Sequence, residues 1–600
     1  MPEMTPDEVL VLLTPLFPSN GLSDTQELVL RESWQGKSYQ QIAQAFEYDT
    51  DYIKGVGSQL WKLLSQSLGK PVTKTNLHSA INCYVYQSKQ GSTQSEIVSK
   101  PLTVPDCSSC EKKRIAERVE LQKIRDYPNA YHLTAAIDVS FFYGRSTELS
   151  TLKHWILEEH CRLIAMVGMV GIGKTALSVK LTHEIKQQFE FVFYYNLNTG
   201  LSCSELLTEI FNYCLINLPL APPKFSERIE VKILQFIEYL QHHKCLIILD
   251  GFEAVFQDGM LTGHYRNGYE DYRKLLQQLG EINHQSCIVI TSRETPQEIA
   301  VLAGNTLPVR VLKLKGLDFE AGEIILKLKE IKGTSLDYKK LVTYYSGNPL
   351  LLKIAATSIQ DLFNYSIAKF IQENKIIFNG IRAILDQQFN QLSELEKKIM
   401  YWLTIESKPV SSTQLVEDLF PPVSEPALLE SLESLQRRSL IEKKSLGFTQ
   451  DYLIRAYIRE RIIEHFYQDL TGENHKNTPR CCPLFFILQN YPIFKVTASD
   501  AVKNYQISAF VKPLIQKLLV RYKSSEDVAE KLNLILIKLR EIKIPYGYAV
   551  GNLINLLCFL NTDLSGADFS GLSLWEADLR SLNLEQMNLK YCDLSKSVLV

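Results

Sequence analysis

One segment of the sequence has glycines and a hydroxyl residue at the spacing that holds a phosphate group. Residues 168–175 read GMVGIGKT, match the pattern GxxxxGK[ST], follow the apolar run LIAMV and precede a helix-like run. Glycines let successive backbone N–H groups converge on a phosphate, and a helix N-terminus adds a favourable dipole. Lys174 would reach the β- and γ-phosphates of a nucleotide, and the Thr175 hydroxyl would bind Mg²⁺. The predicted nucleotide-binding residues of this segment are Gly168, Gly171, Gly173, Lys174, Thr175 and Ala176.

Three further polar residues follow apolar runs that are typical of buried strands. Asp250 ends the run CLIILD, Glu253 follows it, and the run CIVITSR ends in Arg293. The carboxyl ends of parallel strands share one sheet edge, so these residues would meet the phosphate segment. Asp250 would hold Mg²⁺ directly or through water, Glu253 would orient or deprotonate an attacking water, and Arg293 would sense the γ-phosphate. The alternatives are a solvated loop acid for Glu253 and a structural ion pair for Arg293.

The elements that must position these residues are short apolar strands separated by helical segments. LIAMVG, FVFYYN, CLIILD and SCIVITS are continuously apolar, as expected for parallel strands that are covered on both faces. Their alternation with helical segments predicts a doubly wound α/β domain. The predicted fold class is therefore multidomain: this P-loop sheet, helical and winged-helix domains, and a short C-terminal β-solenoid.

Length and pattern changes divide the 600 residues into several parts. The predicted boundaries are 1–75 for an N-terminal helical module, 76–133 for a linker, 134–310 for the α/β domain, 311–378 for a helical domain, 379–470 for a winged helix, 471–558 for a helical arm and 559–600 for a repeat region.

Composition excludes some partners. Lys and Arg number 65 and Asp and Glu 67, so the net charge is −2 and gives no global drive toward nucleic acid or anionic membrane. No apolar run approaches the ~18 residues of a membrane span, and the acidic N-terminus lacks a signal-peptide pattern. We therefore expect a cytoplasmic protein without membrane contact. Among the 12 cysteines, Cys107 and Cys110 form one CxxC, for which linker thiols are preferred over zinc or redox chemistry.

The last stretch repeats with a period of five residues. Leu or Phe recurs at every fifth position from Leu564 to Leu599. A period of five fits neither a helix nor a flat strand, so each unit must turn a corner and stack on its neighbours. The pattern resembles pentapeptide repeats, which implies a square β-solenoid with the central Leu or Phe on its axis. Because the repeats reach Val600 without a polar cap, we expect longer relatives that carry further sensor repeats, such as a propeller.

The order of motifs resembles that of NB-ARC-type STAND ATPases. The motifs are FYGR at 142–145, the phosphate segment, LIILDGFE, TSR, and GNPL at 347–350, followed by a winged-helix-like segment. The resemblance implies an ADP/ATP site with Mg²⁺, an NB domain, and ARC1-like and ARC2-like domains at 311–378 and 379–470. It assigns Arg293 as the sensor and places the following residues near the adenine: Tyr143, Gly144, Arg145 and Pro349.

One motif departs from the family pattern. Family members carry Met-His-Asp in the winged helix, and its His touches the β-phosphate of ADP. This chain has Thr449-Gln450-Asp451, so Gln replaces the His. Together with the terminal pentapeptides, the motifs look like those of bacterial, particularly cyanobacterial, members.

The N-terminal segment 22–68 resembles a LuxR-type or sigma-factor-type helix-turn-helix. Its basic residues are outnumbered by six acidic ones, so it lacks the phosphate-neutralising charge that supplies most DNA affinity. The basic residues are Arg31, Lys37, Lys54 and Lys62. A module that docks an unknown protein partner is therefore the preferred interpretation, and DNA binding remains the alternative.

These observations favour a signalling switch in which exchange of ADP for ATP opens the domains and permits homo-oligomerisation, with slow hydrolysis as the reset. The alternative is a DNA-binding transcription regulator with the same ATPase core. A multiple-turnover mechanical ATPase is the least favoured, because it would need an arginine finger in trans and a closed ring.

Overall fold

The structure is a computed structural model, and the chain divides into two compact units, residues 1–125 and 126–600. The CxxC at Cys107 and Cys110 lies outside the described residues. The structure describes residues 22–34, 37–46, 48–68, 72, 77, 81, 130–133, 137–217, 226–373, 376–472, 486–542, 547–580, 582 and 584–599.

In its described residues, the first unit has three helices around a small apolar core. They are α1 (Asp24–Trp34), α2 (Tyr39–Ala45) and α3 (Thr50–Leu68). Ser38 caps α2 in a reciprocal capping box with Gln41. The Trp61 indole of α3 donates a 2.6 Å hydrogen bond to the Tyr39 hydroxyl of α2, which ties the two helices together above the core.

A sheet of six parallel strands forms the centre of the second unit, in the order β1-β3-β4-β5-β2-β6. All four predicted strands are present, and the sheet has an extra strand at each edge. Both edge strands, AYHL and VRVLK, escaped the sequence analysis because they are short and mix apolar with polar residues. The strands are β1 (Ala130–Leu133), β2 (Leu163–Val167), β3 (Phe191–Asn196), β4 (Cys245–Asp250), β5 (Cys287–Ser292) and β6 (Val309–Lys313).

Helices cover both faces of this sheet. Alternate residues of β2 belong to different cores: Ile164 and Met166 pack with α4 and α5, whereas Leu163 and Val167 pack in the core of α6 to α9. This two-sided burial confirms the doubly wound α/β fold. The helices are α4 (Ser146–Leu157), α5 (Lys174–Ile185), α6 (Cys203–Asn217), α7 (Ile229–His242), α8 (Asp271–Glu281) and α9 (Gln297–Leu302).

Helices follow the sheet up to the repeat region and share one continuous apolar core. A short hairpin, β7 (Glu442–Lys444) with β8 (Gly447–Thr449), completes the winged helix that includes α14 to α18. In the described part of the chain, no helix is long and apolar enough to cross a membrane. The helices are α10 (Phe319–Lys327), α11 (Ser335–Tyr344), α12 (Pro349–Phe363), α13 (Ile367–Gln372), α14 (Asn379–Asn390), α15 (Glu394–Glu406), α16 (Ser412–Asp418), α17 (Glu425–Arg437), α18 (Tyr452–Thr471), α19 (Phe486–Asn490), α20 (Asp500–Gln506), α21 (Lys512–Tyr522), α22 (Ser525–Ile542) and α23 (Ala549–Phe559).

The repeat region winds into a solenoid whose coils are 20 residues, or four pentapeptides, long. Parallel bridges pair Asp568 with Asn588, Ser573 with Asp593 and Asp578 with Val598. The axial residues of the first coil are buried, namely Leu564, Phe569, Leu574 and Leu579. A coil of four units agrees with the square cross-section that the resemblance to pentapeptide repeats implies.

Candidate nucleotide-binding site

The phosphate-binding loop joins β2 to α5 and needs glycine for both backbone and steric reasons. Gly171 has φ +75° and Gly173, the N-cap of α5, has φ +102°, both in the left-handed region. A Cβ added to Gly171 would lie 2.6 Å from the Cβ of Leu350 on α12. The loop therefore aims the backbone N–H groups that start α5 at one point, and its back packs directly against α12.

Lys174 lies folded over this loop. Its ammonium donates hydrogen bonds to the carbonyl oxygens of Gly168 (2.8 Å) and Met169 (3.0 Å), and only 8% of the residue is exposed. Burial lowers its pKa to about 8, against the opposing effect of the Glu253 carboxylate. A bound phosphate would supply negative charge next to this cation and raise its pKa again.

Asp250 and Thr175, the predicted metal-binding pair, lie in contact. Asp250 ends β4, and its Oδ1 accepts a 2.8 Å hydrogen bond from the Thr175 hydroxyl. A hydroxyl and a carboxylate beside a phosphate loop fit Mg²⁺, which takes oxygen ligands and completes its shell with phosphates and water. Among the described residues, no group of three or more His, Cys, Asp or Glu could hold a metal ion.

Glu253 and Arg293 form an ion pair at the same sheet edge. Arg293 Nε lies 2.9 Å from Glu253 Oε1, and both side chains are about four-fifths buried. Arg293 also reaches the winged helix, since its Nη1 lies 3.4 Å from Oε1 of Gln391. The structure thus contains the ion pair that the sequence analysis gave as the alternative role of Arg293. The partner of Arg293 in this pair is Glu253, the predicted water-orienting residue.

An apolar cleft with a cavity volume of about 170 Å³ lies beside the phosphate loop. Its walls come from the α/β domain on one side and from α10 and α12 on the other. Every predicted base-contacting residue except Gly144 lines it. The lining includes Phe142, Tyr143, Arg145, Ile172, Gly173, Ala176, Leu317, Ile325 and Pro349. A flat, mostly apolar ring such as adenine fits a cleft of this composition.

The Arg145 side chain connects neighbouring segments at the edge of this cleft. Its guanidinium donates to the carbonyl oxygens of Ile172 (3.0 Å) and Lys315 (2.5 Å) and pairs with Glu148 at 2.6 Å. Gly144 and Arg145 both have positive φ, at +70° and +68°, and a Cβ on Gly144 would lie 2.9 Å from the Cβ of Ala321. The segment therefore turns tightly and fixes the loop relative to β6.

Asn348 is a candidate site residue that the sequence analysis did not single out. Its Nδ2 donates a 2.9 Å hydrogen bond to the carbonyl of Val170, in the phosphate loop, and its Oδ1 caps α12. The backbone N–H of Leu350 adds a 3.3 Å bond to the carbonyl of Gly171. The available signal was Asn directly before Pro349, which is the signature of a helix N-cap.

Gln450, which stands in the place of the family His, points into the winged-helix core. Its Nε2 donates to the Met400 carbonyl (2.8 Å), and its Oε1 accepts from the Thr404 hydroxyl (2.7 Å). The next residue, Asp451, caps α18 and lies next to Ser346 beside the GNPL segment, where burial raises its pKa. The Asp of the motif, rather than the Gln, therefore connects the winged helix to the residue that precedes the GNPL segment.

A buried group of charges joins the α/β domain to the winged helix. Arg438 forms an ion pair with Glu294, the residue after Arg293, at 3.1 Å, and lies 3.8 Å from Glu396. We call these three residues the Arg438 cluster. Arg438 also donates to the carbonyl oxygens of Gln391 (2.9 Å) and Met260 (2.7 Å). Burial raises the pKa of Glu294 to about 7.

Comparisons with known proteins agree with this geometry. The NB-ARC domain family matches residues 145–296, the vWA-MoxR associated protein N-terminal HTH matches residues 16–84, and eight copies of the pentapeptide repeat match residues 558–599. An uncharacterized WD repeat-containing protein of Nostoc sp. is 39% identical over 77% of this chain, and the disease resistance-like protein DSC1 of Arabidopsis thaliana is 27% identical over 43%. The chain spans 39% and 20% of the lengths of these relatives.

The solved structures that the chain resembles are more distant. A STAND protein with a tetratricopeptide repeat sensor from Pyrococcus horikoshii is 20% identical, covers 71% of this chain and 59% of its own, and has a TM-score of 0.27. The family matches and the loop geometry carry the assignment. The middle of this chain is an NB-ARC domain, the nucleotide-binding domain of STAND P-loop ATPases, lying between an N-terminal helix-turn-helix module and C-terminal pentapeptide repeats.

Proposed function

We propose that this chain is an ADP/ATP-controlled signalling switch. The observation that carries the proposal is the docking of the GNPL segment on the phosphate loop through Asn348 and Leu350. A nucleotide in the cleft would contact the α/β domain and α12 together, so its binding energy depends on how the two are arranged. A ligand shifts a conformational equilibrium only by such a difference in affinity.

The Arg293–Glu253 ion pair would distinguish ADP from ATP. The γ-phosphate of ATP competes with the Glu253 carboxylate for Arg293, since both are anions. Moving Arg293 toward the phosphate would weaken its contact with Gln391 of the winged helix and leave Glu253 able to orient a water. Mg²⁺, held by Thr175 and Asp250, would neutralise phosphate charge when bound. Hydrolysis would then be slow and would return the switch to the ADP form.

Opening would break the Arg438 cluster, because Glu294 belongs to the α/β domain and the other two residues to the winged helix. Separation exposes surface that permits homo-oligomerisation and lets the N-terminal module act on a protein partner. The repeat region would receive the signal and pass it on: its Glu576 binds Thr497 at 2.8 Å, and Lys495, two residues earlier, pairs with Glu406 of the winged helix at 2.7 Å.

Nucleotide binding by the full chain tests the proposal. We expect tight binding of ADP and ATP to the wild type and loss of at least about tenfold in affinity for Lys174→Ala, because a charge-assisted hydrogen bond is worth about 1.5–3 kcal/mol. Lys180→Ala is the matched control, since Lys180 lies on the same helix and pairs with Glu184 on the surface. Equal binding by all three proteins, or none by the wild type, contradicts the proposal.

A DNA-binding regulator with the same core is the second candidate, favoured by the match of residues 16–84 to a helix-turn-helix family. The acidic balance of this module opposes it. A mobility-shift titration of the full chain with duplex DNA at low salt decides between the two: salt-sensitive binding supports the regulator, and no shift supports a protein partner.

A further inference from the structure

Asp250 is enclosed by hydroxyl groups from three different elements. Besides Thr175 of α5, the hydroxyl of Thr291 on β5 donates to the same Oδ1 at 2.6 Å. The hydroxyl of Tyr194 on β3 lies beside Asp250 and Ser178. Burial and the neighbouring Asp250 charge raise the pKa of Tyr194, so it stays a neutral phenol. The carboxylate thus sits among donors supplied by the two flanking strands as well as by the phosphate loop.

The bond from Thr291 has a fixed direction. The backbone N–H of Gly251 donates to the Thr291 hydroxyl oxygen at 2.9 Å. An N–H can only donate and a hydroxyl has a single proton, so that proton is left for the carboxylate oxygen 2.6 Å away. Thr291 is 1% exposed, and a β-branched side chain has few χ1 rotamers. The hydroxyl is therefore a preset donor aimed at Asp250.

We propose that Thr291 is a positioning residue for Mg²⁺–nucleotide binding, acting through Asp250. The hydroxyls of Thr175 and Thr291 both donate to Oδ1 of Asp250, but they would behave differently when the metal binds. Thr175 would turn its oxygen toward Mg²⁺ when the metal binds, whereas the Thr291 hydroxyl already accepts from the Gly251 N–H and keeps its bond to Asp250. Thr291 would then hold the carboxylate in the orientation that faces the metal. This inference rests on the proposed nucleotide function.

The test compares Thr291→Val, which keeps the shape but removes the hydroxyl, with Thr291→Ser, which keeps the hydroxyl. Binding of a non-hydrolysable ATP analogue is titrated against Mg²⁺, and binding of ADP is measured separately in EDTA. We expect Thr291→Val to raise the Mg²⁺ concentration at half-saturation about 10-fold to 100-fold, the range for losing one hydrogen bond to a charged group. Thr291→Ser should stay within about threefold of wild type, and ADP binding in EDTA should not change in either variant.

Two outcomes overturn the inference. One is an unchanged Mg²⁺ requirement in Thr291→Val. The other is an equal loss of binding with and without Mg²⁺, which indicates a purely structural role. If Thr291→Val does not fold, Thr291→Ala gives the same measurement without a methyl group against the carboxylate. Failure of the proposed function looks different, because the wild type itself would then bind no nucleotide under either condition.

Discussion

Removing the Arg438 side chain should open the molecule. Arg438→Ala leaves Glu294 and Glu396 as buried carboxylates without their cation, and both residues are almost fully buried. Breaking a buried ion pair on one side costs about 3–5 kcal/mol. Glu294, whose pKa lies at about 7, can take up a proton and therefore contributes less to this cost. The lower end of the range, about 3 kcal/mol, therefore applies. Opening hydrates Glu294 and relieves much of this cost, so the open fraction should rise about 100-fold.

The assay is the dissociation rate of a fluorescent ADP analogue, chased with excess unlabelled ADP. We expect about 100-fold faster release from Arg438→Ala. The control is Arg437→Ala, one residue away: Arg437 pairs with Glu433, which is largely exposed, and such a surface pair is worth about 0.5 kcal/mol. Release from this control should stay within about threefold of wild type.

The double variant Arg438→Ala with Glu294→Gln removes the cation together with one of the stranded anions. It should recover part of the slow release, and the double-mutant cycle gives the coupling energy. The reasoning is refuted if Arg438→Ala is folded, as judged by its melting transition, and yet releases ADP at the wild-type rate.

Three further predictions concern pH, the loop and the arm. The folded pKa of Glu294, about 7 against an ordinary 4.5, means that the docked state holds an extra proton between these values; its stabilisation is complete below pH 4.5 and lost as pH rises through 7. The docked state should therefore be about 1.4 kcal/mol more stable at pH 6 than at pH 8, as measured by the rate of ADP release. Glu294→Gln should abolish this difference. Gly171→Ala should lower ADP affinity at least tenfold in a titration, because φ is +75° and the new Cβ would meet Leu350 at 2.6 Å; unchanged affinity would show that the loop is free of α12. Lys495→Met should lower the free energy of urea unfolding by about 3–5 kcal/mol, because it strands Asp418 and a second buried carboxylate; a loss below about 1 kcal/mol contradicts the role of this ion pair in joining arm and winged helix.

Local patterns explain what the sequence could predict. The glycines and Lys174 are contiguous and lie between a strand and a helix, so the phosphate loop follows from neighbours in the chain. Asp250 ends an apolar run, and the geometry of parallel sheets brings such ends to one edge. The period of five likewise predicted that each unit turns a corner and stacks on its neighbours. In each case the physics acts over a few residues or through a regular lattice.

The features that the sequence did not predict depend on contacts between segments that are distant in the chain. The residues of the Arg438 cluster are far apart in sequence and belong to no motif. No sequence pattern therefore predicts that they lie in contact. The direction of Gln450 depends on hydrogen-bond partners on α15, which the motif itself does not contain. Asn348 stood inside a recognised motif, but its bond to the phosphate loop required the packing of α12 to be known.

The central claim is that the identity of the bound nucleotide controls the arrangement of the domains. The most direct measurement is to identify the nucleotide that co-purifies with the full chain and to determine the mass of that sample by light scattering, before and after exchange to a non-hydrolysable ATP analogue with Mg²⁺. We predict one ADP per chain with the mass of a monomer, and a larger mass after exchange. A nucleotide-free protein, or an identical mass in both states, would contradict the account.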